Sequence, residues 1–227
     1  MTAAPRGRPD GADTALPRQW FARTAVDLAP DLLGRLLVHG EVAIRLTEVE
    51  AYEGQQDPGS HAYRGPTPRN QVMFGEPGHL YVYLSYGIHS CANVVCGTDG
   101  RASAVLLRAG EVVAGEELVR ARRERSGRRW QHHELVRGPG RLGQALGLQV
   151  VDNGTDLCAP GGDSWLAAGS PPARAAVMSG PRVGVSGPGG DASRYPWRFW
   201  VAGEPSVSVY RSGKAARVSP RRAGEAG

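Results

Sequence analysis

The chain of 227 residues contains one lysine, Lys214, and only three cysteines, three methionines and three phenylalanines. Each scarcity closes off a class of protein. With its only lysine at position 214, the chain has no lysine near its motifs in sequence, and a Schiff-base step is not expected. Cys91, Cys96 and Cys158 cannot all pair, which argues against a disulfide scaffold and for a reducing compartment. No apolar run reaches the roughly 18–20 residues that a membrane-spanning helix requires. The first 17 residues carry Arg, Pro and Asp but no apolar stretch, so no secretory signal is read there. Aromatic residues are 7% of the chain, few enough that any cluster of them stands out.

What the chain does have is positive charge, almost all of it arginine. Formal charge is +5 and the isoelectric point about 9.4, which favours an anionic partner such as nucleic acid or an acidic membrane surface. Arginine offers a planar fork suited to phosphate oxygens. A coding bias towards Arg, Ala, Gly and Pro would produce the same composition. The length suits one domain, expected over residues 18–212, with disordered tails at 1–17 and 213–227.

Apolar spacing over 21–37, interrupted at Pro30, predicts two short helices with Pro30 in the first turn of the second. Val42, Ile44, Leu46, Glu48, Glu50 and Tyr52 then alternate, so an unbulged strand would place all six on one face. That face begins apolar and ends in two carboxylates and a phenol, as a strand entering a cleft would. Residues 54–78 hold Gly and Pro throughout and read as a long functional loop. Strands at 79–85 and 88–96 are joined tightly at Tyr86-Gly87, a hairpin, and 104–109 gives another buried strand. Helices are expected at 115–129 and 142–146. Further strands are expected at 181–185, 198–201 and 207–210, while 151–180 shows little periodicity. The series predicts an α+β fold: one mostly antiparallel, curved, open-barrel-like sheet with flanking helices and a protruding β-hairpin.

A glutamate in a strand is usually a solvated surface residue. Glu48 and Glu50 stand out because a carboxylate screened from water makes a better base near neutral pH. Residues i and i+2 of a strand lie roughly 6–7 Å apart, so an acid–base pair for sugar hydrolysis stays open. Tyr52, His61, Tyr63, Tyr81, Tyr83 and Tyr86 concentrate the aromatic content. Any one tyrosine is more often core, but Tyr86 sits at a hairpin tip, where a projecting ring can wedge into a base stack. His89, Cys91 and Cys96 fit no common zinc spacing, and His132-His133-Glu134 is not a spaced His-Glu-x-x-His helix, so no metal is expected. The arginine run at 120, 122, 123, 125, 128 and 129 is expected to be a solvated face that aids approach to DNA.

Taken in order, Glu50-Ala51-Tyr52, His61, Thr67-Pro68-Arg69-Asn70, Met73-Phe74, Pro77-Gly78 and Leu80-Tyr81-Val82-Tyr83 resemble the alkyladenine (3-methyladenine) DNA glycosylase family. The resemblance continues through Tyr86-Gly87, Asn93, Val105-Leu106-Leu107-Arg108-Ala109, Gly138-Pro139 and Arg182-Val183-Gly184-Val185, covering roughly residues 20 to 210. It implies that Glu50 deprotonates the attacking water and that Arg108, with the Val183 carbonyl, holds it. Tyr52 would stack on one face of a flipped base, with His61 and Tyr83 on the other. Tyr86 would fill the gap left in the duplex, and Asn93 would clash with the 2-amino group of guanine. Thr67, Arg69 and the Gly138-Pro139 segment would contact phosphates. The pattern gives Glu48 only a supporting part. The implied partner is double-stranded DNA carrying damaged purines, with no cofactor and no membrane. A monomer in the cytoplasm, associated with the nucleoid, is expected.

Two other readings remain at this point: a hydrolase of free nucleosides or O-glycosides using Glu48 with Glu50, and a noncatalytic DNA-binding module. An exposed Tyr86 and excess arginine suit neither a small sugar nor its site. A base carboxylate beside bound phosphate costs affinity unless it performs chemistry.

Overall fold

The structure is a computed structural model describing residues 11–98, 100–124, 127–159 and 162–213. Most of both expected tails, and Arg125 of the arginine run, fall outside those residues. Within the described part of the first tail, Ala12 is buried and Ala15 bridges to Ala167.

Strand β2 (Val42–Tyr52) is the axis of an eight-stranded open sheet in which the strand pairs are antiparallel. One edge of β2 pairs with β5 (Ala104–Ala114). The other pairs first with β1 (Leu36–His39) and then with β8 (Arg198–Val201). Strands β3 (Leu80–Ser85) and β4 (His89–Val95) extend the sheet beyond β5, β6 (Ser164–Ala167) extends it beyond β1, and β7 (Val177–Gly180) pairs with β8. With three α-helices outside the sheet among the described residues, the fold is α+β, as expected. Among the described residues no helix is long and apolar enough to cross a membrane.

The simple alternation along β2 is broken. Leu46 pairs with Gly110 but Glu48 with Ala109, so Thr47 is an extra residue on β2. The next step reverses this: Val49 pairs with Leu107, which makes Arg108 the extra residue on β5. A one-residue bulge exchanges the two faces of a strand. Val42, Ile44 and Leu46 therefore share the main core with Val49 and Ala51, not with Glu48, Glu50 and Tyr52. The two carboxylates and the phenol face away from that core.

Helix α1 (Ala25–Leu32) is one helix, not two. Thr24 caps it by accepting from the Asp27 N–H, and Pro30 falls in its last turn. The buried stripe Ala25, Leu28, Ala29 and Leu32 holds it on the sheet despite the hydrogen bond Pro30 cannot make. Helix α2 (Glu116–Arg123) is shorter than the basic run suggested, and part of that run turns inward. Arg122 donates to the Ala145 carbonyl, and buried Arg123 donates to the Leu135 carbonyl and to Gln144. Helix α3 (Pro139–Leu146) starts at Pro139, with Gly138 at φ 112° as its N-cap. Two expected strands are absent: 181–185 runs as a loop after β7, and 207–210 is irregular. In place of a strand ladder, Val207 donates to the Glu204 carbonyl and accepts from Arg137, and Ser208 donates to Glu48.

Helix α3 reaches β4 through Gly143, where an added Cβ would fall on the Ser90 carbonyl oxygen. Gly143→Ala should therefore lower the unfolding free energy by about 1–3 kcal/mol in denaturant titrations. Parent-like stability would show that α3 can slide away from β4 without cost.

Candidate active site

Glu50, on the exchanged face of β2, has no exposed surface. Three donors hold it. The Tyr52 hydroxyl donates to Oε2 at 2.9 Å, the Val183 N–H donates to Oε1 at 2.6 Å, and Arg108 Nη1 lies 3.2 Å from Oε2. Every partner donates, the arrangement an ionised carboxylate requires. Burial, followed by the neighbouring Glu50 charge, holds the Tyr52 phenol well above its ordinary pKa, so it stays a neutral donor.

Glu48 lies next to it but plays another part. Its carboxylate accepts from Arg108 Nε and Arg198 Nε, both at 2.8 Å, and from the Ser208 N–H at 2.7 Å and Oγ at 2.8 Å. Burial pushes its pKa up, but Arg108 and Arg198 outweigh burial and hold it below the usual carboxylate range. With no exposed surface and no place in the lining of the cleft over Glu50, Glu48 is not offered to a sugar. Two free carboxylates facing a glycosidic bond are therefore not present. Burial alone would depress the Arg108 pKa, but Glu50 and Glu48 together raise it above the ordinary arginine value.

A cleft of about 770 Å³ opens over Glu50. It brings together Glu50, Tyr52, His61, Arg69, Tyr83, Tyr86, Asn93, Arg108 and Val183, nine of the residues nominated from sequence. Thr67 and Gly138 do not line it. Thr67 belongs to a turn stitched by buried Asn70, whose Oδ1 accepts from the Thr67 N–H at 2.6 Å and whose Nδ2 donates to the His61 carbonyl. Gly138 lies outside the cleft while its neighbour Pro139 reaches the rim.

The aromatic wall comes from two elements. His61, on the loop after β2, meets Tyr83 of β3 edge to face with centroids 4.5 Å apart, and its Nδ1 lies 3.2 Å from the Tyr81 hydroxyl. Desolvation among these rings, then the Arg69 guanidinium, pushes the His61 pKa below its ordinary value, which favours the neutral imidazole. Arg69 donates to the Leu84 carbonyl at 3.0 Å and lies over Tyr83, so it braces the hairpin. Asn93 of β4 is buried, its Nδ2 donating to the Tyr81 carbonyl across the strands. Val183 engages Glu50 through its N–H, a contact that the resemblance, which points to the carbonyl, does not supply.

Several residues that support the site carried no assignment from sequence. Fully buried Arg182 forms a forked pair with Asp57, donates to the Ala51 carbonyl and lies 4.5 Å from the Tyr52 ring. The Asp57-Pro58-Gly59 turn, in which Asp57 accepts from the Gly59 N–H at 2.8 Å, was its one local signal. Arg198 and Ser208 show no sequence pattern linking them to Glu48. Cys91 also lines the cleft, its thiol pushed up by burial and therefore neutral.

The description of the methylpurine-DNA glycosylases matches residues 19–205, which span this whole cleft. The chain belongs to that family. Among its relatives, a protein of Streptomyces avermitilis is 55% identical over 204 residues, covering 88% of this chain and 93% of its own. One of Leifsonia xyli subsp. xyli is 52% identical over 200 residues (86% and 92%), and one of Methanocella arvoryzae 45% over 197 (85% and 95%). Each carries the name "Putative 3-methyladenine DNA glycosylase".

At the rim of this family's cleft, Tyr86 is 95% exposed, and it is the one described non-glycine residue with positive φ, at 52°. With Gly87 at 73° it forms the tight turn between β3 and β4. A bulky aromatic in that conformation costs roughly 1–2 kcal/mol, and a ring this exposed buries little surface among the described residues to offset it. Tyr86→Gly should therefore leave the unfolding midpoint unchanged or raise it. A clear drop would show that the ring packs for stability.

Proposed function

We propose that the chain is a monofunctional DNA N-glycosylase. It flips an alkylated or deaminated purine out of duplex DNA and hydrolyses its N-glycosidic bond. One observation carries the reading: a fully buried, donor-held carboxylate on the floor of a cleft whose rim bears an exposed, strained tyrosine. A pocket for a free nucleoside has no use for that rim residue.

In the proposed reaction the bond from C1′ to the base nitrogen breaks and its electrons leave with the base, so positive charge grows on the sugar. The Glu50 carboxylate lies where that charge is best stabilised, and it takes a proton from the water that adds to C1′. Arg108 and the Val183 backbone keep carboxylate and water in register. Tyr52, backed by Arg182, offers a stacking face, with the His61 and Tyr83 wall opposite it. Asn93 narrows the cleft against the 2-amino group of guanine. Tyr86 wedges into the stack and fills the gap left by the flipped nucleotide. Thr67, Arg69 and the Gly138-Pro139 segment flank the cleft and contact phosphates. A 3-methylated adenine already carries positive charge and departs as a neutral base, whereas hypoxanthine needs a proton. No lysine lines the cleft among the described residues, and Lys214 lies outside them; the proposed product is an abasic site in an intact strand. The enzyme acts as a monomer on chromosomal DNA in the cytoplasm.

An excision panel of 3-methyladenine, 7-methylguanine, hypoxanthine and ethenoadenine duplexes, run with chelator present, tests the reading. Free base should appear, with strand breaks only after hot alkali. Glu50→Gln should slow release by at least about 100-fold while lesion binding persists. Equal excision by variant and parent would remove Glu50 as the base. Tyr86→Ser should weaken flipping reported by a fluorescent base analogue, and unchanged flipping would remove the wedge.

A further inference from the structure

We propose that Glu48, locked by the C-terminal strap at Ser208, is a positioning residue that aims Arg108 at Glu50. This rests on the glycosylase reading above for its kinetic consequence, but its geometry stands apart from it. Arg108 is planar, and its N–H directions are fixed relative to one another. Two of its three nitrogens are anchored away from the cleft: Nε on Glu48 at 2.8 Å and Nη2 on Ser208 Oγ at 3.4 Å. With those two held, the plane is set and Nη1 is left directed at Glu50 Oε2, 3.2 Å away.

Ser208 closes the ring. Its Oγ donates to Glu48 Oε1 and accepts from Arg108, its N–H donates to Glu48 Oε2, and its carbonyl accepts from Arg198 Nη2 at 2.7 Å. The strap is fixed on both sides of Ser208. Ser206 pairs with Thr47, the bulge residue, at 2.8 Å, and the Arg211 carbonyl accepts from the Gly184 N–H at 2.8 Å, next to Val183. The residues of this strap lie beyond position 205, where the match to the family description ends.

Charge explains why position 48 is acidic. Glu48 and Glu50 balance Arg108 and Arg198, and all four are buried. Without the Glu48 charge, Arg108 would have Glu50 as its one carboxylate partner, and would bind it in a fork that competes with water.

The test uses the full chain with Glu48→Gln and Ser208→Ala. The first keeps the shape, removes the charge and sets an amide N–H against the Ser208 N–H. The second keeps all four charges and removes only the hydroxyl, so it stays folded if the first does not. Single-turnover excision at saturating enzyme should slow by about 10- to 100-fold in Glu48→Gln and about 3- to 10-fold in Ser208→Ala. Lesion affinity should stay within about threefold of the parent in both. Exchange of the Arg108 guanidinium protons, followed by NMR, should quicken in both variants. That readout needs no activity: a parent that excises nothing sinks the glycosylase reading, while the exchange still reports on the positioning. Parental exchange and parental rates in Ser208→Ala would overturn the proposal. So would rate, affinity and melting temperature falling together in both variants, the mark of a purely structural role.

Discussion

A carboxylate with no exposed surface is held on the floor of an open cleft, and the arrangement around it follows from that one constraint. Removing an ion from water costs several kcal/mol even after relaxation, and only close donors offset it. Glu50 has three, each from a different part of the chain: Tyr52 from its own strand, Arg108 from β5, and Val183 from the loop after β7. The sheet must bring these segments to one point. It does so by placing β2 at its centre and bulging both β2 and β5 within a few residues of the site. The paired bulges let Glu48, Glu50 and Arg108 meet on the face turned away from the core while Val49 and Ala51 stay in it.

Around this fixed centre the molecule divides into rigid and strained parts. Tyr52 is rigid, its ring backed by Arg182, which is itself forked onto Asp57 and surrounded by Tyr195 and Trp197. His61 and Tyr83 are set by the Asn70-stitched loop and by β3. Tyr86 is the opposite case, an aromatic in the left-handed region with almost its whole surface in solvent. Stability alone does not account for such a residue, whereas the proposed contact with DNA would. In the proposed reaction, precise placement would serve bond cleavage and the projecting ring would serve entry into a base stack.

Sequence alone located much of this, for reasons that can be separated. The hairpin was legible because Tyr86-Gly87 sits between two alternating runs, and turn chemistry is local. Glu50 was legible for a reason only half correct: it was expected on the apolar face of β2, yet the bulge at Thr47 puts it on the other. Period-two patterns do not record a one-residue insertion, and nothing about threonine announces one. From sequence Pro30 reads as a helix start, but the buried stripe of α1 carries the helix through it. Ser208, Arg198 and Arg182 are invisible as partners because each acts across more than a hundred residues of chain. The arginine run read as solvated face partly because composition cannot show which guanidiniums, such as Arg123, turn inward.

The central claim is that the Glu50 carboxylate stabilises positive charge growing on the sugar. It is tested most directly with two abasic duplexes, one carrying a cationic pyrrolidine in place of the deoxyribose ring and one a neutral tetrahydrofuran. The parent should prefer the cationic duplex by about 100-fold, as expected for a mimic of the transition state, and Glu50→Gln should erase that preference. Equal affinity of the parent for both duplexes would contradict the account.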